Sequence, residues 1–324
     1  MGYPRARIVD SATSGFYHCI SRCVRRAFLC GDEHDHRRQW IEDRLAELLD
    51  VFAIEACAYA IMSNHLHLIL KTDPQAARNL SDLNVARRWI RLFPAELRRL
   101  KQAAGSPADA RRVETEYLQT ICADCGKIAR WRARLSSISW FNKLLKEPIA
   151  RRANREDDCT GHFWEGRFKS IRLLDRAAVL ACMVYVDLNA MRVGLAKTLK
   201  ECSFTSILHR LKVIRRPDPR RHRRPHRARK ARIMLTLTPI DMLFSFSARE
   251  YVSLVGATGG VPTDQRDHRG TLTEMGINAD SWAQTIGRTI EWFGTAVGRT
   301  RDLLTEARRR KTLRVVSALK IYLA

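Results

Sequence analysis

Residues 63–71 read Ser-Asn-His-Leu-His-Leu-Ile-Leu-Lys, and this alternation is the strongest constraint on what the chain can fold into. In a β-strand successive side chains point to opposite faces, so Leu66, Leu68 and Leu70 form one row while His65 and His67 emerge on the other. The leucine row faces a core. Two imidazoles held on one face of a rigid strand make half of a preorganised metal site. A His-x-His pair is common by itself, so its meaning depends on the residues that accompany it.

The 324 residues carry 45% hydrophobic side chains, enough to bury a large core in one domain or in one domain plus an appendage. Lys and Arg outnumber Asp and Glu by 58 to 34, a net charge of +24. A field of that size points to a polyanionic partner, nucleic acid ahead of an anionic membrane. No run of eighteen apolar residues is present, so no membrane span and no membrane partner are expected. The opening Met1-Gly2-Tyr3-Pro4-Arg5-Ala6-Arg7 lacks the apolar core of a signal peptide, and the expected location is cytoplasmic. Nine cysteines, odd in number and scattered, do not make a secreted disulfide framework. Cys122, Cys125, Cys159 and His162 have the chemistry of a zinc site, but the segments around them are helical in pattern rather than knuckle-like.

Residues 15–22 alternate as a strand. Trp40, Ile41, Leu45, Leu48 and Leu49 recur at helical spacing over 35–50. Residues 51–61 form a second apolar strand, and a Met62-Ser63-Asn64 turn leads to the histidine strand. The order strand, helix, strand, strand is the first half of a ferredoxin-like unit. Residues 79–155 read as a charged helical insertion, divided by Gly105-Ser106-Pro107. A turn and a fourth strand follow over 162–173, then a helix over about 176–190, with Asp175 as its N-cap and Gly194 after its end. The expected fold class is α+β: a ferredoxin-like or RRM-like antiparallel sheet with helices on one face, a helical insertion and a C-terminal helical appendage. The division is a main domain over 1–208, a basic, proline-containing arm over 209–232, and a helical region over 233–324.

On the helix after the fourth strand, Tyr185 and Asn189 are four residues apart and share a face. The small Ala178 and Ala181 precede them, leaving room for another group to approach the phenol. The plain alternative for Tyr185 is a ring anchored in the core. Asp187 points away from this face.

Four ordered blocks now make a specific pattern: Tyr17-His-Cys-Ile-Ser-Arg22, Ala60-Ile-Met-Ser-Asn-His-Leu-His-Leu68, Phe163-Trp-Glu-Gly-Arg-Phe168, and Tyr185-Val-Asp-Leu-Asn-Ala-Met-Arg-Val-Gly194. In these the chain resembles the REP-associated tyrosine transposases, a branch of the HUH single-strand transposase and nuclease superfamily, over roughly residues 15–210. Members of that family often carry proline where this chain has Ala190, and the insertion here is longer than in compact members. The resemblance implies that Tyr185 is the nucleophile in a single-tyrosine enzyme. Its hydroxyl would attack a phosphodiester of single-stranded, hairpin-forming DNA and form a 5′-phosphotyrosine with a free 3′-hydroxyl. It also implies a divalent ion, Mg²⁺ or Mn²⁺, on His65 and His67. Two imidazoles are too few for so hard a cation, and Asn189 is the candidate oxygen ligand.

For DNA contacts the candidates are Arg167, Lys169, Arg172 and Arg192, each also readable as part of a solvated basic face. Trp164 is a candidate stacking platform for an unpaired base, or a core residue. The expected assembly is a monomer or homodimer. Rival readings are a nucleic-acid-binding regulator that keeps the fold without the chemistry, a relaxase or replication initiator of the same superfamily, and a zinc hydrolase. The relaxase type has a longer three-histidine motif. The hydrolase lacks a third histidine or carboxylate at a convincing spacing.

Overall fold

The computed structural model describes residues 8–215, 235–261, 268–292 and 295–310. Strand β1 (Gly15–Arg22) is followed by helix α1 (His36–Val51), β2 (Ile54–Ile61) and β3 (His65–Thr72). The insertion contributes α2 (Asp82–Leu92), α3 (Pro107–Ala123), α4 (Cys125–Leu135) and α5 (Ile138–Glu156), with Ser106 capping α3 as its Oγ accepts from Asp109 N at 3.1 Å. The chain then forms β4 (Lys169–Leu173), α6 (Arg176–Asp187), α7 (Ser206–Ile214), α8 (Ala248–Thr258), α9 (Ala279–Trp292), β5 (Ala296–Val297) and α10 (Thr300–Arg309), with a few shorter turns of helix between. Among the described residues no helix is long and apolar enough to cross a membrane.

The sheet order is β2-β3-β1-β4-β5. Its first four strands are antiparallel in the ferredoxin-like order, as the strand, helix, strand, strand reading requires. Two features differ from the expectation. The sheet is mixed, because β5 pairs parallel to β4. Helices also cover both faces rather than one, because both faces are apolar. Leu66, Leu68 and Leu70 pack with Ile41, Leu45 and Leu48 of α1 and with Phe141 and Leu145 of α5. Ile69, Ala58, Ile171 and Leu173 form a second core with α6 on the histidine face.

That second core explains the C-terminal region. Every residue of α6 from Ala177 to Asp187 is buried, and a helix apolar all round needs a cover on its outer side as well as the sheet beneath. Tyr251 and Val255 of α8 and Trp282 and Ile286 of α9 belong to the same core. The basic tract begins inside the fold. Arg210 lies in α7, 5% exposed, and donates to Cys57 O at 2.6 Å, where β2 shifts register. The rest of the arm, from residue 216 onward, lies outside the described residues.

Candidate active site

Strand register assembles the site. His67 of β3 stands opposite Ile20 of β1, which stands opposite Lys169 of β4, and Arg22 stands opposite His65. Directly paired residues share a face, so His65, His67, Arg22 and Lys169 lie on the α6 side. His18 is one diagonal step from His67 on that face. Its Nε2 lies 2.8 Å from His67 Nδ1, and the two rings stack with centroids 5.0 Å apart. His65 Nδ1 lies 2.6 Å from Asn64 Oδ1. Nδ1 of each motif histidine is therefore engaged, and Nε2 is the nitrogen each offers to a ligand.

Burial sets the charge of these rings. Desolvation, helped by Lys169 and His65, takes His18 down to about 3. Desolvation and the Arg22 charge take His65 down to about 4, against a hydrogen bond with Asn189 that pulls upward. His67 is held well below its ordinary value by burial first, then by His18, His65 and Arg22. At neutral pH all three are uncharged, the form in which imidazole is a ligand.

Tyr185 approaches from α6, its ring centroid 5.9 Å from that of His67 and almost perpendicular to it. It is 2% exposed. Burial pushes its phenol up to about 12, while the Arg192 charge, a hydrogen bond with Asn189 and the Arg22 charge pull the other way. The Arg192 guanidinium sits 4.8 Å from the Tyr185 ring centroid. The helix expected to run through Tyr185 and Asn189 breaks at Leu188 instead, and Asn189 opens a new turn. Asp187 faces the opposite way, where Ser206 Oγ and Tyr251 Oη donate to its carboxylate, the latter at 2.6 Å. Across the break Asn189 still lines the same cleft as Tyr185 and His65. The new turn closes at Gly194 (φ +76°), with Leu195 N donating to Ala190 O at 2.9 Å and Gly194 N to Met191 O at 3.1 Å, a Schellman ending that a left-handed residue permits.

His65, His67, Tyr185 and Asn189 line one cleft of about 870 Å³ together with Arg167 and Lys169. Three other candidates are placed elsewhere. Arg172 is on the opposite face, ion-paired with Glu306 at 3.0 Å. Arg192 stacks on Tyr185 and donates to Ile286 O of α9 at 2.9 Å, so it clamps the end of α6 to its cover. Trp164 is nearly buried, donates through Nε1 to Lys146 O at 3.1 Å, and borders a neighbouring cleft.

No family model matches the sequence, and neither does any curated protein. Among solved structures the chain is similar to a REP-associated tyrosine transposase bound to a REP hairpin. The identity is 11%, over 67% of this chain and 89% of that one, with a TM-score of 0.38. A likeness of that degree assigns neither a family nor an activity.

Three residues of the site escaped the sequence reading: Arg22 and Arg26 on the cleft wall, and His18 buried behind His67. Alternation places His18 and Arg22 on one face of β1, but only the register with β3 brings that face to the motif histidines. Arg26 reaches the cleft from a left-handed backbone (φ +57°), which no sequence pattern announces. Glu165 is the one acid among the described residues lining the cleft.

For a divalent ion the donor set fits. Two neutral imidazoles and an amide oxygen converge beside a phenol, in a cleft otherwise rich in arginine and lysine. Elsewhere among the described residues, His34, Glu156 and Asp157 come within ligand reach of one another, but Arg37 donates to both acids. The four candidate zinc residues Cys122, Cys125, Cys159 and His162 form no such group among the described residues.

Proposed function

We propose that this chain is a metal-dependent tyrosine endonuclease and strand transferase. On this reading it cleaves and rejoins single-stranded, hairpin-forming DNA through a 5′-phosphotyrosine at Tyr185. The observation that carries the proposal is the convergence of Tyr185, Asn189, His65 and His67 in one cleft lined by Arg22, Arg26, Arg167 and Lys169. A pure binder has no need of that set.

The four cations hold the DNA phosphates by charge. His65, His67 and Asn189 hold Mg²⁺ or Mn²⁺, which when bound polarises the scissile phosphate and offsets its developing charge. His18 receives the Nδ1 proton of His67, and Asn64 engages Nδ1 of His65, so both rings present Nε2 in one tautomer. Burial keeps the Tyr185 phenol protonated until it reacts, while Arg192 and Arg22 favour the anion as the proton leaves. The phenol oxygen bonds to phosphorus, the bond to the 3′-oxygen breaks, and the phenol proton ends, by net transfer, on the released 3′-hydroxyl. A 3′-hydroxyl attacking in reverse expels the phenolate, so strands rejoin without an external energy source.

The test is incubation of the full chain with labelled single-stranded hairpin DNA and Mn²⁺ or Mg²⁺, followed by denaturing electrophoresis. A covalent adduct that Tyr185→Phe abolishes supports the proposal, and equal adduct from both proteins overturns the nucleophile assignment. Tight binding without adduct on any DNA supports the regulator reading instead.

A further inference from the structure

We infer that single-stranded nucleic acid does not end at this cleft but continues onto the helical insertion, over α5 toward the end of α2, along a track of cations and aromatic rings. The inference deepens the proposed function and rests on the cleft being a DNA site. Three clefts share walls in sequence. The first meets a second, of about 640 Å³, at Gly166 and Arg167. The second meets a third, of about 660 Å³, at Trp140, Lys143 and Glu147. Adjoining clefts therefore extend in series from Tyr185 to Trp89 and Phe93 of the insertion.

Cations recur along that path, and the ring open to a base lies at its far end: Phe93 is exposed and Trp140 half-buried, while Trp164 and Trp89 are buried behind them. Lys146 lies 5.3 Å from the Trp164 ring centroid, and Lys143 lies 5.0 Å from that of Trp140. The Arg134 guanidinium sits 4.1 Å from the Trp140 centroid and 5.5 Å from that of Trp89. Phe93, 48% exposed, flanks Trp89 at 5.5 Å. Arg151 and Arg155 border the far end. Among the described residues lining the second and third clefts the one acid is Glu147, and Arg151 is paired to it. Cations spaced along a groove follow a phosphate backbone, and aromatic faces accept bases that are not already stacked in a duplex. An acidic polypeptide would meet the cations but has no use for the rings. The occupant that uses both is a single strand.

The experiment compares binding of fluorescent oligonucleotides of about 4 and about 16 nucleotides to the full chain, by anisotropy. The variants are Lys143→Glu with Arg155→Glu, and separately Phe93→Ala, all at exposed positions that do not line the Tyr185 cleft. The inference expects the long strand to bind more tightly than the short one. Each variant then weakens the long strand by about tenfold, the scale of one lost base stack, and leaves the short one unchanged. Equal affinity for both lengths, or unchanged length dependence in both variants, overturns it. So does competition by duplex DNA or polyglutamate as effective as by single strand. Adduct formation on the short strand is scored in parallel. Its absence in the wild type counts against the proposed chemistry and leaves the length dependence readable.

Discussion

His18 Nε2 lies 2.8 Å from His67 Nδ1, joining a residue of β1 to the motif strand through two buried rings. For His67 to offer a lone pair at Nε2, its proton must sit on Nδ1, and His18 is the acceptor that keeps it there. His18→Leu removes that acceptor and leaves a buried donor unsatisfied. Mn²⁺ affinity, measured by calorimetry, is expected to fall by about 10- to 100-fold. Single-stranded DNA affinity without metal should hold, since Arg22, Arg167 and Lys169 are untouched. Unchanged Mn²⁺ affinity would remove His18 from the site.

Arg25 and Arg26 are consecutive non-glycine residues with positive φ, +53° and +57°. Such backbone costs on the order of 1 kcal/mol per residue and clusters at functional sites. At Arg26 the conformation is further held as Asn64 Nδ2 donates to the Arg26 carbonyl at 3.1 Å. Arg26→Gly removes the steric cost and the cleft charge together. The expected result is thermal stability equal to or above wild type with weaker, less salt-sensitive DNA binding. Full affinity in the glycine variant would show that Arg26 makes no phosphate contact.

The histidine and leucine faces of β3 were legible because alternation alone assigns them, and the strand order followed from the spacing of the first three strands and the helix between them. His18 was not legible, because its role depends on a register between residues 49 positions apart. The cover over α6 was half legible. Residues 177–186 contain no charge, which signals a helix buried on all sides, yet nothing local says that α8 and α9 supply the outer wall. The partners of Arg172 and Arg192 were hidden for a related reason. A basic residue beside a site reads as a DNA contact until its partner, Glu306 or the Ile286 carbonyl, arrives from about a hundred residues away.

Glu306 of α10 receives Arg172, Arg309 and Arg310. Burial pushes its carboxyl up, but the Arg309 hydrogen bond and the Arg172 and Arg310 contributions outweigh it and hold the group below its ordinary value. A carboxylate depressed in the folded state stabilises above its unfolded value, near 4.3, and that stability is lost as pH falls through the folded value. Melting curves are expected to show Glu306→Gln less stable than wild type at pH 7, with the gap closing below about pH 4. A gap that persists at pH 3 would place the effect in packing rather than charge.

Asp187 sets the opposite sign on α6. It is fully buried, and desolvation raises its pKa against hydrogen bonds from Ser206 and Tyr251 and the Arg210 charge. Tyr251→Phe removes one donor from a buried carboxylate, at an expected cost of about 1–3 kcal/mol at pH 7. Losing that donor raises the Asp187 pKa further, so the protonated form becomes the better tenant of the fold at a higher pH than in wild type. The stability difference between variant and wild type should therefore shrink as pH falls, because a protonated Asp187 no longer needs the phenol. Chemical denaturation at pH 8, 6 and 5 reads this directly. A difference that is constant across that range would mean that Asp187 keeps one charge state throughout it in both proteins, and would overturn the predicted linkage.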